Sequence, residues 1–441
     1  MRKWGLTVAA ATLALGMLAG CGTPGNNQPQ GSPPAGESPT AGEADAPKQK
    51  VKLQFSIWGN DEHKGMYEGL LAEFKKTHDH IDVEIITIPF ADYQQKLSIM
   101  AASKTAPDVG WLAERMIPQF IASGQLVDLS ASLKEDNDYN FADIYPSTLD
   151  LFTKDEALYG IPFSTPPGII FYNRSLFEAN NLKTPLELVA EGNWTYDSFL
   201  ESARAIADPS QGVYGVRLNR EWKNWYDALL PMFWAHGADV FNEDGTAFAL
   251  NSAEGKQVLE MYNNMIFKDQ VHPKPGDEIT FETGKVGMYL DRYSYVSKAR
   301  AITDYEWDIA PMPEGPHGRG TSMGYAGYSV FDTEHPEEAM ALLKFLTGAQ
   351  AMGVTSQFFV PSRQSILESD IFLNADELPG KESIQIAVLD QMEQARVAPS
   401  HQNWQQIDVQ MQTLLDLLYT QSMSVEDVLA RMEQNITPLM K

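Results

Sequence analysis

Trp58 is followed within five residues by Asn60, Asp61, Glu62 and His63, and Trp111 is followed three residues on by Glu114. An indole presents a broad, weakly polar face, while amides and carboxylates beside it donate and accept hydrogen bonds. Together they suit a ring with C–H faces and a hydroxyl-bearing rim. Further indoles cluster between Glu221 and His236, at Trp222, Trp225 and Trp234, and Trp404 follows Pro399–Asn403. Trp222 and Trp225, three apart, share a face if this stretch is helical. That face is either core or a stacking platform, and Trp225 is the residue expected to stack. Metal chemistry finds no template. His63 has no second histidine or cysteine at ligand spacing, and Asn242-x-Asp244-Gly245 departs from the calcium-loop pattern at its first acidic position and its distant glutamate. No metal and no cofactor are expected. A glycoside hydrolase would need two carboxyl groups set across one bond, and it stands as a minor alternative to a binding protein.

The elements that must position these residues are legible. Val51–Trp58 alternates and is rich in strand-forming residues; an amphipathic stretch from about Gly65 to Lys76 and a second strand at Ile81–Ile88 complete a strand–helix–strand unit. A helix from about Tyr93 to Ala102 and a buried strand at Asp108–Leu112 continue the alternation. This pattern predicts an α/β fold opening with a parallel sheet. Ligands of such sheets sit beyond the carboxyl ends of the strands, which is where Trp58–His63 and Trp111–Glu114 fall. Thr195 is a plausible N-cap for a helix ending near Ala207. Asn251 is expected to cap one starting near Ala253, Pro336 opens another, and Ser424 starts the last. Asn242–Gly245 reads as the turn of a small hairpin.

Cys21 is the single cysteine of 441 residues. Arg2 and Lys3, the apolar run Leu6–Leu18 and the small residues before Cys21 form a secretory signal over residues 1–20. Leu18-Ala19-Gly20-Cys21 resembles the lipobox of bacterial lipoproteins, which implies cleavage before Cys21 and a lipid on its sulfur. Residues 22–50 hold six prolines and five glycines without a large apolar side chain. They are expected to form a disordered tether reaching roughly 30 Å. The predicted location is therefore extracytoplasmic, with the chain anchored to the cell membrane by its lipidated cysteine. The formal charge of −26 disfavours nucleic acid and anionic head groups as partners.

Six local patterns occur in a fixed order: Tyr159–Pro162 ahead of Phe171–Phe177, Gly192–Phe199, Gly284–Tyr289, Ala310–Pro313, His335–Ala339 and Val360–Arg363. In these the chain resembles, over residues 51–441, the extracellular solute-binding proteins of carbohydrate-importing ABC transporters, of the maltose-binding type. The resemblance implies a two-lobe periplasmic-binding-protein-like fold of type II, with the ligand cleft between the lobes. It places lobe 1 at 51–163 plus 288–327 and lobe 2 at 164–287 plus 328–441. It also implies hinge closure on a sugar or oligosaccharide, ABC permease transmembrane subunits as partners, and a monomer without enzymatic activity. Near the implied crossings stand Thr165 and Tyr172, then Asp291 and Arg292, then Tyr325 and Gly327. Arg292 either grips a sugar carboxylate, which would favour a uronic-acid oligosaccharide, or forms a local hinge ion pair with Asp291. Arg363 is expected to order a loop. The full set expected at the ligand is Trp58, Asn60, Asp61, Glu62, Trp111, Glu114, Thr165, Tyr172, Trp225, Asp291, Arg292, Tyr325, Gly327 and Trp404. A polyamine, a glycerophosphodiester or a peptide is the alternative solute.

Overall fold

A computed structural model describes residues 49–440 except 219–224, 275, 374–377, 400 and 402. Cys21, the expected signal, nearly all of the tether and Trp222 lie outside the described residues. The chain opens as β1 (Val51–Ile57), α1 (Asp61–Thr77), β2 (Ile81–Thr87), α2 (Phe90–Ala102) and β3 (Val109–Ala113). β1 pairs in parallel with both β2 and β3, as its βαβ spacing requires. Asn60 caps α1: its side chain accepts from His63 N–H while the His63 ring accepts from Asn60 N–H. Asp61 and Glu62 in the first turn and Lys75 and Lys76 in the last complement the helix dipole.

Two sheets organise the rest of the chain. β4 (Ile161–Ser164) closes the first, whereas β5 (Gly168–Asn173), β6 (Tyr214–Leu218), β7 (Val286–Arg292) and β8 (Trp307–Pro311) form the second in the order β8-β5-β7-β6. After β9 (Ser322–Met323) the chain returns to the first sheet as β10 (Ala326–Val330), inserted between β3 and β4. The second sheet is covered on both faces. Ile169 and Phe171 pack with Trp307 and Ile309 on one side, and Ile170 and Tyr172 with Met288 and Leu290 on the other. A continuous apolar strand such as Gly168–Asn173 is what a doubly covered sheet demands.

The lobe boundaries differ from those expected. The division at 287/288 falls inside β7, whose residues on both sides of that point pair with β6, while those from Met288 on also pair with β5. β8 also belongs to the second sheet. A strand cannot be shared between lobes without abandoning one ladder of hydrogen bonds, so 288–312 stays with lobe 2. Conversely, β10 and the helix Pro336–Leu346 bury Tyr328, Val330, Leu342 and Leu343 in the core of the first sheet, so this stretch belongs to lobe 1. The chain leaves the first sheet between β4 and β5 and returns between β9 and β10. It passes from one core to the other again at Phe359–Val360.

Local signals hold at Thr195, which caps Tyr196–Ile206, and at Ser424, which caps Val425–Ile436. The cap before Ala253 is Ser252 rather than Asn251; its side chain accepts from Gly255 N–H. Phe241 bridges Phe248 across the expected hairpin. Among the described residues no helix is long and apolar enough to cross a membrane.

Candidate ligand-binding site

A cavity of about 380 Å³ opens between the two sheets. One wall comes from the carboxyl ends of β1 and β3 and the start of α1 and α2: Trp58, Asn60, His63, Phe90, Trp111 and Glu114. The other comes from the end of β7 and the turn beyond it: Tyr289, Asp291, Arg292, Ser294, Tyr295 and Lys298. Ser164, Pro166, Gly324 and Tyr325, on the crossing segments, form its floor with Asp227. Side chains of successive strands converge here because β1, β3 and β7 all end on the same gap.

Trp58 is half-buried and stands edge-on to Trp111, Tyr93 and Phe90, with centroids 4.9, 5.1 and 5.4 Å away. Three perpendicular neighbours lock the indole. On the opposite wall Tyr289 lies over Phe281 at 6.0 Å and meets Tyr295 at 4.8 Å. The cleft thus offers aromatic faces from both lobes. Its polar groups are mixed: the carboxylates of Glu114 and Asp291 accept, Lys298 and Arg292 donate, and Asn60, Ser164 and Ser294 can do both. Glu114 is held at both ends, its Oε2 accepting from Tyr325 N–H and its own N–H donating to Tyr325 O, each over 3.0 Å. Burial pushes the Glu114 carboxyl up, against the pull of Arg292. Burial likewise pushes the Tyr325 phenol up to about 12 and brings His63 down to about 4. At neutral pH these two side chains are uncharged. Because Asn60 N–H donates to His63 Nδ1 over 3.2 Å, the ring proton sits on Nε2.

Trp58, Asn60, Trp111, Glu114, Asp291, Arg292 and Tyr325 line this cavity. Seven other expected residues do not. Asp61 and Glu62 are exposed in the first turn of α1, turned outward by the helical step after the Asn60 cap. Thr165 is buried, with its N–H donating to Val360 O over 3.0 Å. Tyr172 points from β5 into the lobe-2 core against Phe177. Trp225 and Trp404 stack on each other at 5.7 Å within the same core. Trp225 Nε1 donates to Asp408. At Gly327 the space a side chain would take is filled by Phe152. Arg292 lines the cavity but is paired with Asp227, and its Nη1 donates to Pro166 O and Ser322 O. The partner of Arg292 is thus Asp227, not the adjacent Asp291 of the expected hinge ion pair. Arg363, as expected, orders a loop: it is buried against Tyr139 and donates to Thr347, Asn140, Tyr139 and Asp143.

Sequence reasoning missed Phe90, Asp227, Tyr289, Tyr295 and Lys298. Tyr289 and Asp291 stand two apart on a strand and so share a face. That alternation was a usable signal; the placement of Asp227 had none. Gly320-Thr321-Ser322-Met323-Gly324 has the spacing of a hydrolase nucleophile elbow. Ser322, however, is fully buried in β9, and a strand rather than a helix follows.

Two α/β lobes enclosing an aromatic cleft at the ends of their strands define a solute-binding protein. The chain belongs to the bacterial extracellular solute-binding protein family, whose model matches residues 59–353. It is 22% identical over 354 residues to a binding protein of Brucella abortus, covering 77% of this chain and 81% of that one. It is also 22% identical over 337 residues to the arabinooligosaccharide-binding protein of Halalkalibacterium halodurans, covering 70% and 71%. Its fold is similar to that of an ABC substrate-binding protein from Listeria monocytogenes in complex with cycloalternan. There the TM-score is 0.79 at 21% identity, over 89% of this chain and 99% of that one.

Proposed function

We propose that this protein captures a neutral sugar or short oligosaccharide outside the membrane and delivers it to the permease subunits of an ABC importer. The observation that carries this reading is the pair of aromatic walls, Trp58 and Phe90 on one side and Tyr289 and Tyr295 on the other, around a cavity whose rim holds both donors and acceptors. Aromatic faces cover the C–H surfaces of a pyranose, Glu114 and Asp291 take its hydroxyl protons, and the Asn60 amide can donate to a hydroxyl oxygen. Relatives that bind arabinooligosaccharide and cycloalternan support the class. Arg292, the cation expected to grip a uronic-acid carboxylate, already holds Asp227 and two carbonyl oxygens, which leaves Lys298 as the other cation on the wall. The engagement of Arg292 favours an uncharged sugar. A ligand touching both walls binds the closed arrangement better and shifts the lobes toward it. We place the protein at the outer face of the membrane, as a monomer tethered through a lipid on Cys21. It binds its solute without turning it over.

The test is a thermal-shift panel of neutral oligosaccharides, alditols, uronic-acid oligosaccharides and spermidine. A ligand at 100 times its Kd raises stability by about 2.7 kcal/mol. The reading expects that upshift with a neutral saccharide. An upshift with spermidine alone, or hydrolysis of any glycoside, would replace it. Palmitate labelling of the expressed chain that is lost in Cys21→Ser tests the anchor.

A further inference from the structure

Arg292 ends β7 with its side chain only 12% exposed. Nε and Nη2 both donate to Asp227 Oδ1, the former over 3.0 Å. Nη1 donates to Pro166 O over 3.2 Å and to Ser322 O over 3.4 Å. Pro166 lies on the segment that leaves the first sheet, and Ser322 on the segment that returns to it. The two segments also touch directly: Gly324 N–H donates to Pro166 O over 2.8 Å, and Pro167 bridges Met323. The guanidinium fills the space beside Gly324, where a Cβ would stand 2.5 Å from Nη1 and 2.9 Å from Cζ. Glycine is needed at 324 for room. One residue on, Tyr325 and Glu114 exchange their two hydrogen bonds at the cleft floor.

We propose that Arg292 is a positioning residue: it clasps both crossing segments to lobe 2 and so fixes Glu114 and Tyr325 for the ligand without touching the ligand itself. The clasp is built from charge-assisted hydrogen bonds, with Asp227 balancing the buried charge. Its effect on affinity rests on the sugar-binding reading; its effect on the crossing segments does not.

The experiment uses the mature chain as wild type, Arg292→Met, Arg292→Lys, Gly324→Ala and the double variant Arg292→Met/Gly324→Ala. Native-state hydrogen exchange without ligand reads the clasp. The Gly324 and Tyr325 amides are expected to exchange about tenfold faster in Arg292→Met and in Gly324→Ala. Lysine keeps the charge beside Asp227 but lacks the fork, so Arg292→Lys is expected to fold like wild type and exchange like Arg292→Met. The double variant should exchange no faster than Arg292→Met, because the added methyl has room once the guanidinium is gone. Unchanged or additive exchange overturns the clasp. Titration with maltotriose, arabinotriose, mannitol and digalacturonate then reads positioning. Every probe that binds wild type should bind all three single variants about tenfold more weakly, whether or not it carries a carboxylate. Loss confined to digalacturonate would make Arg292 a ligand contact, and unchanged affinity with faster exchange would leave it outside the binding machinery; either overturns the proposal. If no probe binds wild type, the sugar-binding reading fails, and the exchange data still decide the clasp.

Discussion

Trp58 meets Trp111 edge to face, with ring centroids 4.9 Å apart and planes at 76°. The two indoles divide one task. Trp58 is half-buried and shows a face to the cleft, while Trp111 is 1% exposed and braces it from behind, itself packed on Tyr67 and Phe163. Trp58→Ala should weaken sugar binding by roughly 2 kcal/mol, the size of an interface hot spot, with a smaller loss of stability. Trp111→Ala should cost about 3–5 kcal/mol of folding stability. Calorimetric titration and urea unfolding on both variants separate the two effects. Equal losses of stability would contradict this division.

The Trp225–Trp404 stack does not reach the cavity. Trp404→Ala should lower stability by about 3–5 kcal/mol, as for a large aromatic removed from a packed core. Affinity per folded molecule should stay at the wild-type value. Chemical denaturation with a parallel titration checks both halves.

His272 is buried, accepts from Leu218 N–H at Nε2 over 3.0 Å and meets Pro273 O at Nδ1 over 2.7 Å. A proton added at Nε2 would face that N–H donor. Burial lowers the imidazole from 6.5 to about 4, and His63 shifts in the same direction to the same value. A depressed folded value means the unfolded chain binds the proton first. Stability from these groups is therefore complete above about pH 6.5 and is lost as pH falls toward about 4. Unfolding free energy measured between pH 8 and pH 4 should decline over that window, and more shallowly in His272→Asn. A wild-type-like slope in that variant would assign the dependence elsewhere.

Arg363 is 1% exposed, lies over the Tyr139 ring at 4.8 Å and pairs with Asp143 at 3.2 Å. Arg363→Met should cost about 3–5 kcal/mol, because it leaves the Asp143 carboxylate without its cation and three carbonyl oxygens without their donor. The double variant Arg363→Met/Asp143→Asn should recover part of that loss. Thermal unfolding of the two variants decides it.

Much of the first lobe was readable in order. The spacing of β1, α1 and β2 left one sensible arrangement, and the rule of strand carboxyl ends brought Trp58, Asn60, Trp111 and Glu114 to the cavity. Asp61 and Glu62 show the limit of that rule. It selects a loop but not the side of a helix, and one turn of α1 carries them outward. The lobe boundary failed for a related reason. Gly284–Tyr289 identifies a strand, but which sheet accepts it depends on partners far away in the chain.

By itself the sequence determined the family, the α/β class, the opening βαβ unit and the caps at Thr195 and Ser424, because each is written in residues near one another. Only the tertiary structure decided which aromatics face the cleft. Trp58 and Trp225 carry the same ring; packing leaves a face of one open and closes the other against Trp404. It likewise decided the partner of Arg292, since Asp227 lies 65 residues earlier. Burial and long-range pairing are sums over distant neighbours, and local spacing does not contain them.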